Sequence, residues 1–217
     1  LLPSNDHAVY TISRFKTKLE KFYKVTTPSV DIINRIYDKA KLIELAQRHK
    51  IPTPITQLLT SETEPLKKEL NYPVIIKGRN GLSFYRAIGR KAILAHNERE
   101  YRKKIAAIQE KYSITDTLTQ ELIPSNGKNK VISFTAFSVN GEIKTHWVGL
   151  KIREHPSRFG TATFAQNIYN ASLFKQSLPL LKSLDYTGVC EIEYIQDPRC
   201  GEYKLIEINP RTWLWVG

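Results

Sequence analysis

The chain has 217 residues, of which 41% are hydrophobic and 25% are charged, so it is long enough for one large or two small globular domains. No run of about 18 apolar residues and no signal peptide is visible, which excludes a membrane-spanning class and favours a cytoplasmic location. Two cysteines are too few for a disulfide framework. The net charge of +12 at pH 7 indicates anionic partners, and the scattered lysines and arginines favour a small anionic molecule over nucleic acid.

The first half of the chain is predicted to alternate helices with short strands. Helical spacing of apolar residues and N-capping residues predict helices at 7–15, 28–36, 38–50 and 98–111, and a helix of about two turns from residue 61. Strands are expected at 55–59, 72–78 and 91–95, and a loop with turn-forming residues at 79–85. The strand at 72–78 is apolar up to its end, where it delivers Lys77.

The second half is predicted to be mostly antiparallel sheet crossed by one helix. Strands are expected at 117–123, 130–139 and 142–153, the last two joined by Asn140-Gly141, which is typical of a tight hairpin turn. An irregular loop follows at 155–167, then a helix at 171–184. The chain closes with a hairpin whose strands are 189–195 and 203–209, around the turn residues 197–201. Segregated helices and strands of this kind indicate an α+β fold.

The closing hairpin gathers oxygen-bearing side chains. Strand residues alternate between two faces, which predicts Glu207, Asn209 and Arg211 on one face and Ile206 and Ile208 on the core face. In the partner strand, Glu191 and Glu193 share a face by the same rule.

A hairpin would bring Glu193 beside Glu207 and Asn209. Carboxylate and amide oxygens without Cys or His are typical ligands of a hard cation, above all Mg²⁺. The alternative is a surface hairpin whose carboxylates are simply solvated. The apolar partners in both strands favour the metal site, and Arg211 next to it would bind phosphate or carboxylate.

In their order and spacing, five stretches of this chain resemble the ATP-grasp superfamily of carboxylate–amine ligases, with the closest likeness to its D-aspartate ligase and predicted carboligase members. The stretches are DKAKLIELAQRHKIPTP, YPVIIKGRNGLSFY, TQELIPSNG, VGLKIREHPSRFGTATF and GVCEIEYIQDPRCGEYKLIEINPR. The resemblance covers about residues 38–211. It implies two α+β lobes that hold a nucleotide between them. Residues 38–122 would form lobe 1, residues 123–217 a C-terminally truncated lobe 2, and residues 1–37 the tail of a preceding α/β domain.

The resemblance also implies the roles of individual residues. Lys39 and Lys77 would reach the phosphates of ATP, Arg211 would steady the transferred phosphate or the substrate, and Arg153 would face the acyl-phosphate site. Lys151, two residues before Arg153 on the same strand face, is either part of that site or simple surface charge. The metal ligands would be Glu193, Glu207 and Asn209, binding Mg²⁺ or alternatively Mn²⁺. The hinge that recognises adenine would be Gln120, Glu121, Leu122 and Ile123.

Two departures from the family pattern concern the nucleotide. Many members carry a glycine-rich lid, whereas the stretch RNGLSFYRAIG has only two glycines, so Ser83 and backbone amides would have to bind the phosphates. Members also often carry an acid for the ribose, whereas residues 126–130 here are Asn, Gly, Lys, Asn and Lys.

The predicted function is therefore an ATP- and Mg²⁺-dependent ligase that joins a carboxylate to an amine through an acyl phosphate. Two alternatives stay open: a nucleotide-binding pseudo-ligase, and a basic module for nucleic acid or another polyanion. Small-molecule carboxylates and amines are the expected partners, without a membrane, and a homodimer is compatible with the full-length protein. Because methionine is absent and the chain ends directly after its richest motif, we expect a fragment of a longer protein.

Overall fold

The computed structural model describes residues 1–124, 131–155 and 160–213. The helices are α1 (Asp6–Arg14), α2 (Lys16–Leu19), α3 (Val30–Tyr37), α4 (Lys39–Arg48), α5 (Gly81–Ile88), α6 (Glu98–Gln109) and α7 (Ala171–Ser183). The strands are β1 (Thr56–Leu58), β2 (Val74–Gly78), β3 (Ile93–Ala95), β4 (Thr117–Glu121), β5 (Val131–Val139), β6 (Glu142–His155), β7 (Thr161–Asn167), β8 (Gly188–Gln196) and β9 (Tyr203–Asn209). In this part of the chain no helix has the length and apolar character needed to cross a bilayer.

The chain divides into two compact units. Unit 1 comprises Leu1–Ile36, Lys41–Thr53 and Ser125–Gly217. Unit 2 comprises Tyr37–Ala40 and Pro54–Pro124. The boundaries at residues 37/38 and 122/123, which the family resemblance implied for the tail of a preceding domain and two lobes, stay a prediction.

Unit 1 is built on a five-stranded antiparallel sheet with the order β7-β6-β5-β8-β9. The hairpin between β5 and β6 turns at Asn140 and Gly141, both with positive φ (49° and 73°), as the sequence predicted. Helix α7 packs on β5 and β6 and contributes Leu173 and Leu180 to the core. The strands supply buried residues such as Phe134 and Ile192, so one face of the sheet is fixed by apolar burial.

Unit 2 is a four-stranded antiparallel sheet with the order β1-β4-β2-β3, packed with α5 and α6. Its strands are short, and alternate residues of β2 point into the core. That core consists of Leu59, Leu70, Val74, Ile76, Phe84, Ala95, Tyr101, Ile105 and Ile108. Ile75 and Lys77 alternate with these core residues along β2, so Lys77 lies on the opposite face of the sheet.

The helix predicted from residue 61 is wrong. The Glu64 carboxylate instead accepts hydrogen bonds from the backbone N–H of Thr60 (2.7 Å), the Thr60 hydroxyl (2.8 Å) and the side-chain amide of Gln57 (3.0 Å). Pro65 follows directly, and a proline disfavours helical backbone in the residue before it. The segment therefore closes as a turn held by side-chain hydrogen bonds.

The loop predicted at residues 79–85 is also wrong, because most of it forms α5. Asn80 begins the helix by accepting hydrogen bonds from the N–H groups of Leu82 and Ser83, both 3.0 Å, and Gly89 ends it with φ of 75°. Phe84 is fully buried in the core of unit 2. Burial of this ring and the Asn80 cap together override the turn signal of Asn-Gly.

The prediction of an irregular loop at 155–167 is wrong in its second half, since residues 161–167 form β7 and pair with β6. Residues 156–159 of that predicted loop lie outside the described residues. In the closing hairpin Ile206 is the extra residue of a β-bulge: Glu193 pairs with Glu207, whereas Tyr194 pairs with Leu205. Leu205 therefore joins Ile208 in the core, where Ile206 was expected.

Candidate functional site

In unit 1 the closing hairpin sets two carboxylates opposite each other. Glu193 of β8 pairs with Glu207 of β9, and Glu191 pairs with Asn209 two positions further along. Apolar residues between them on both strands hold this register by burying the other face. The predicted proximity of Glu193 to Glu207 is confirmed, and Asn209 lies in register with Glu191.

The carboxylate of Glu193 is poorly compensated in charge. Its side chain is 15% exposed, and the ammonium of Lys151 lies 3.6 Å from its Oε1 atom. Burial raises the pKa of Glu193 to about 7, and the nearby charge of Glu207 adds to this rise, whereas Lys151 opposes it. Lys151 therefore offsets the charge of Glu193 only in part, and a further cation would stabilise the two facing carboxylates.

Glu191 orients the amide of Asn209. Its Oε1 atom accepts a hydrogen bond from the hydroxyl of Ser133 (2.7 Å), and its Oε2 atom accepts one from Nδ2 of Asn209 (3.2 Å). Both residues are buried, and the bond leaves the amide oxygen of Asn209 on the side away from Glu191. Glu191 was predicted only to share a face with Glu193, and the structure gives it this supporting contact.

The donor set fits a hard cation. Glu193 and Glu207 supply carboxylate oxygens and Asn209 supplies an amide oxygen, which are the ligand types that Mg²⁺ and Mn²⁺ take. Within residues 1–124, 131–155 and 160–213, no three His, Cys, Asp or Glu side chains are arranged to hold a metal ion. Among these residues, a cation site at this hairpin would combine the two carboxylates with the amide oxygen of Asn209.

Arg211 lies beside Asn209 and is held on three sides. Its Nε atom donates to Oδ1 of Asp6 (2.8 Å), Nη1 to the backbone oxygen of Thr212 (3.1 Å) and Nη2 to Oδ1 of Asn209 (3.4 Å). Burial lowers the pKa of Arg211, but Asp6 and the carboxylates of the hairpin outweigh this and leave the pKa raised. Its guanidinium is thus a fixed positive group next to the candidate metal ligands.

Arg153 and Lys151 do not share one environment, contrary to the prediction of a common strand face. Lys151 pairs with Ala165 and Arg153 with Phe164, so Ile152 is an extra residue that breaks the strict alternation of β6. Lys151 is buried beside Glu193, whereas Arg153 is exposed. The structure brings Lys151 to the acidic pair and describes no contact between Arg153 and that pair.

In unit 2, Lys77 and the hinge residue Gln120 are hydrogen-bonded. Nζ of Lys77 donates to Oε1 of Gln120 (3.0 Å), and Nε2 of Gln120 donates to the hydroxyl of Thr56 (3.0 Å). Gln120 is buried, and the bonds fix its amide with the oxygen towards the lysine. The neighbouring strands β2, β4 and β1 thus place one lysine and one amide on the same face.

The other three hinge residues have different surroundings. The Glu121 carboxylate is buried and accepts a hydrogen bond from the N–H of Ile55 (2.9 Å), which ties the end of β4 to the start of β1. Leu122 is partly exposed, and Ile123 is buried. The side chain of Glu121 therefore holds the end of β4 against the residue before β1.

Lys39 and Ser83 both lie at the start of α5. The ammonium of Lys39 is so close to Gly81 that a Cβ built there would be 3.5 Å from it. Asp38 binds Arg79 in an ion pair of 2.6 Å, and the N–H of Lys39 donates to the backbone oxygen of Arg79. The Ser83 hydroxyl donates to the backbone oxygen of Asn80 (3.1 Å) and lies 3.0 Å from the Tyr112 hydroxyl.

Sequence reasoning missed Asp6 and left Lys151 undecided. The sequence held a signal for Lys151, because this lysine lies two residues before Arg153 in the same predicted strand. Asp6 had none, since it is 205 residues away from Arg211 in the chain. The residues considered for ribose at 126–130, and Arg158 in the predicted loop, lie outside the described residues.

Comparisons with known proteins show what this chain is similar to. A family model described as "Carbamoyl-phosphate synthase L chain, ATP binding domain" matches residues 145–213, the segment that carries the acidic hairpin. The D-aspartate ligase of Enterococcus faecium (strain Aus0004) is 24% identical over 221 residues, which cover 97% of this chain and 52% of that protein.

Two solved structures share the fold. The biotin carboxylase complex with β,γ-ATP from Campylobacter jejuni matches with a TM-score of 0.75 and 18% identity, covering 98% of this chain and 49% of the other. The biotin carboxylase domain dimer of the Hydrogenobacter thermophilus 2-oxoglutarate carboxylase, complexed with MgADP and bicarbonate, matches with a TM-score of 0.71 and 20% identity, covering 98% and 48%. The chain spans about half the length of each of these three proteins. The α+β fold with antiparallel sheets and the resemblance to ATP-grasp ligases, both predicted from the sequence, are confirmed.

Proposed function

We propose that this chain is the nucleotide-binding part of an ATP- and Mg²⁺-dependent ligase that joins a carboxylate to an amine. The observation that carries the proposal is that Glu193 and Glu207 face each other in the sheet of unit 1. Asn209 and Arg211 follow Glu207 closely in the chain, and their side chains are hydrogen-bonded. A solvated surface hairpin would not place a carboxylate that is only 15% exposed, that of Glu193, opposite a second one. The likeness to a D-aspartate ligase supports an amino acid as the amine.

The reaction has two steps that balance without a protein nucleophile. A carboxylate oxygen of the substrate attacks the terminal phosphorus of ATP, and the bond to the ADP oxygen breaks to give an acyl phosphate. The amine nitrogen then attacks the acyl carbon, phosphate leaves with the electron pair of the C–O bond, and the amine releases a proton to solvent. Both steps require positioning and charge neutralisation.

Residues of unit 1 would handle the reacting groups. Glu193, Glu207 and Asn209 would hold Mg²⁺, or Mn²⁺ with the same oxygen donors, and the bound cation would offset charge on the phosphate oxygens. Arg211 would donate hydrogen bonds to the transferred phosphoryl group. Arg153, which is exposed on β6, would contact the substrate carboxylate or the acyl phosphate.

Residues of unit 2 would bind the nucleotide. Lys77 would contact its phosphates, and Gln120 together with the backbone from Glu121 to Ile123 would contact adenine. Lys39 and Ser83 would bind phosphate at the start of α5, where the first N–H groups of a helix favour anions. The hydrogen bond between Lys77 and Gln120 supports this arrangement, because it links the phosphate and adenine groups in one network.

The test is calorimetric titration of a non-hydrolysable ATP analogue with Mg²⁺. Glu207→Gln is expected to weaken Mg²⁺-dependent binding about 10-fold or more, because one charged ligand is lost, while the variant stays folded. The matched control is Glu202→Gln, an exposed acid between the same two strands, which should bind as the unaltered chain does. Equal affinity for the Glu207→Gln variant and the control contradicts the metal assignment.

The same preparations distinguish the alternatives. Nucleotide binding without ADP formation on a panel of carboxylates and amines would identify a pseudo-ligase. Thermal stabilisation by single-stranded DNA alone, lost in salt, would identify a polyanion-binding module. For the longer protein we propose a homodimer, in line with the dimer named for the Hydrogenobacter structure. A cytoplasmic location is proposed with it, because ATP is a cytoplasmic metabolite and both cysteines are free thiols.

A further inference from the structure

We propose that Asp6 is a positioning residue for Arg211, and that it fixes the guanidinium for contact with the terminal phosphate of ATP. The inference rests on the proposed function, because it needs a nucleotide at the site. Asp6 is the first residue of α1, and its Oδ1 atom accepts the hydrogen bond from Nε of Arg211 at 2.8 Å. The pair joins the start of the chain to the residue that follows β9.

The backbone around the pair is anchored independently of the Asp6 side chain. The N–H of Thr212 donates to the backbone oxygen of Pro3 (3.1 Å), and the Thr212 hydroxyl donates to the same oxygen (3.2 Å). Asn5 caps α1 by accepting a hydrogen bond from the N–H of Ala8 (2.9 Å). Neither the cap of α1 nor the contact between Thr212 and Pro3 uses the Asp6 carboxylate.

The three hydrogen bonds of Arg211 use three of its five N–H donors, one on each nitrogen. Within the part of the chain that the structure describes, one N–H on each terminal nitrogen is then left for a ligand, and the two lie in one rigid plane. The bond to Asp6 is the only one of the three made to a carboxylate, and it is the shortest. Without it, the long side chain would gain rotamers and the plane would no longer be held towards one ligand.

The alternative role of Asp6 is to neutralise Arg211. The two roles predict effects of opposite sign. If Asp6 only cancels positive charge, its removal strengthens the attraction of the site for anions. If Asp6 positions the guanidinium, its removal weakens binding of the terminal phosphate specifically, since a charged hydrogen bond depends on direction and distance.

The experiment compares the affinities of ADP and of a non-hydrolysable ATP analogue, each with Mg²⁺, by calorimetry on the 217-residue chain. In Asp6→Asn and Asp6→Ala we expect the affinity for ADP to stay within about twofold, and the preference for the ATP analogue over ADP to fall about 5- to 10-fold. The matched control is Asp31→Ala, an exposed acid in the first turn of α3, which should keep the preference.

A double-mutant cycle provides the second criterion. In an Arg211→Ala background, Asp6→Ala should cause no further loss, because the two residues act as one unit. A preference that is unchanged or increased in Asp6→Ala overturns the inference, and so does an additive loss in the double mutant. If neither nucleotide binds to the unaltered chain, the proposed function and the inference fail together, which differs from normal ADP binding with an unaltered preference.

Discussion

Glu193 and Glu207 face each other across β8 and β9, although like charges opposite each other in a sheet are unfavourable. Lys151 offsets part of this repulsion at 3.6 Å. Burial first, and the charge of Glu207 second, raise the pKa of Glu193, so ionisation of this carboxyl makes the folded state less stable. At the scale of single residues, the two facing carboxylates lower the free energy of unfolding, and a bound cation would offset this loss.

The pair makes stability depend on pH in a defined direction. The folded chain keeps the proton of Glu193 up to about 7, whereas the ordinary pKa of the carboxyl is 4.5. The stabilisation is therefore complete below the unfolded pKa and is lost as pH rises through 7. Without metal, the free energy of unfolding should fall by about 1–3 kcal/mol relative to Glu193→Gln between pH values of about 5 and about 8.

The measurement is urea unfolding of both chains at the two pH values, with Glu202→Gln as the control that should follow the unaltered chain. Mg²⁺ with nucleotide should restore stability at the higher pH in the unaltered chain and not in Glu193→Gln. Parallel pH curves for the two chains would show that Glu193 ionises in the folded state as it does in the unfolded state.

At the scale of elements, most of the loop predicted at residues 79–85 is the helix α5. Asn80 caps its first turn, Phe84 anchors it in the core and Gly89 ends it. Lys39 lies against Gly81 at the same end. Two of the first N–H groups already donate to Asn80, so a phosphate at this end would rely on the positive end of the helix dipole and on Lys39.

Asn80→Ala tests this element. Loss of the two hydrogen bonds to Leu82 and Ser83 should destabilise unit 2 by about 1 kcal/mol. Because the cap also orients the N–H groups at the start of α5, the affinity for Mg²⁺-ATP analogue should fall as well. The matched control is Asn97→Ala, which removes the cap of α6 through Glu100 and should lower stability similarly without changing affinity. Both variants are measured by thermal unfolding and calorimetry, and equal affinities would remove α5 from the nucleotide site.

At the scale of the whole molecule, the first residues of the chain are part of the sheet unit rather than an appendage to it. Gly188 begins β8 with φ of 138°, and a Cβ built there would lie 2.0 Å from the backbone oxygen of Thr26. The N-terminal segment therefore passes directly against the strand that carries Glu191 and Glu193. Its origin as the tail of a preceding domain stays a prediction.

Gly188→Ala should reduce the free energy of unfolding by about 2–4 kcal/mol, because the backbone conformation and the contact with Thr26 both exclude a side chain. The matched control is Gly201→Ala, where φ is also positive (77°) and no atom lies within 4 Å, so that about 1 kcal/mol of backbone strain is expected. Urea unfolding of the two variants measures the difference. Equal losses of stability in the two variants would mean that the N-terminal segment moves away from residue 188 without a measurable cost in free energy.

The amino-acid sequence determined what depends on local patterns. Alternating apolar residues predicted β8 and β9, Asn140-Gly141 predicted the turn before β6, and helical spacing predicted α1, α4, α6 and α7 within a few residues of their bounds. The same alternation placed Glu193 beside Glu207. Local patterns suffice here because each follows from the period of one element or from the turn between two neighbours.

Tertiary structure decided what depends on contacts between distant segments. The bulge at Ile206 exchanged it for Leu205 in the core, and the bulge at Ile152 separated Lys151 from Arg153. Burial of Phe84 turned a predicted loop into α5, and the first turn of α1 placed Asp6 against Arg211. Neither the spacing of residues nor a neighbouring turn predicts these four features. Each of them depends on contacts between distant segments of a packed unit, which a local pattern does not contain.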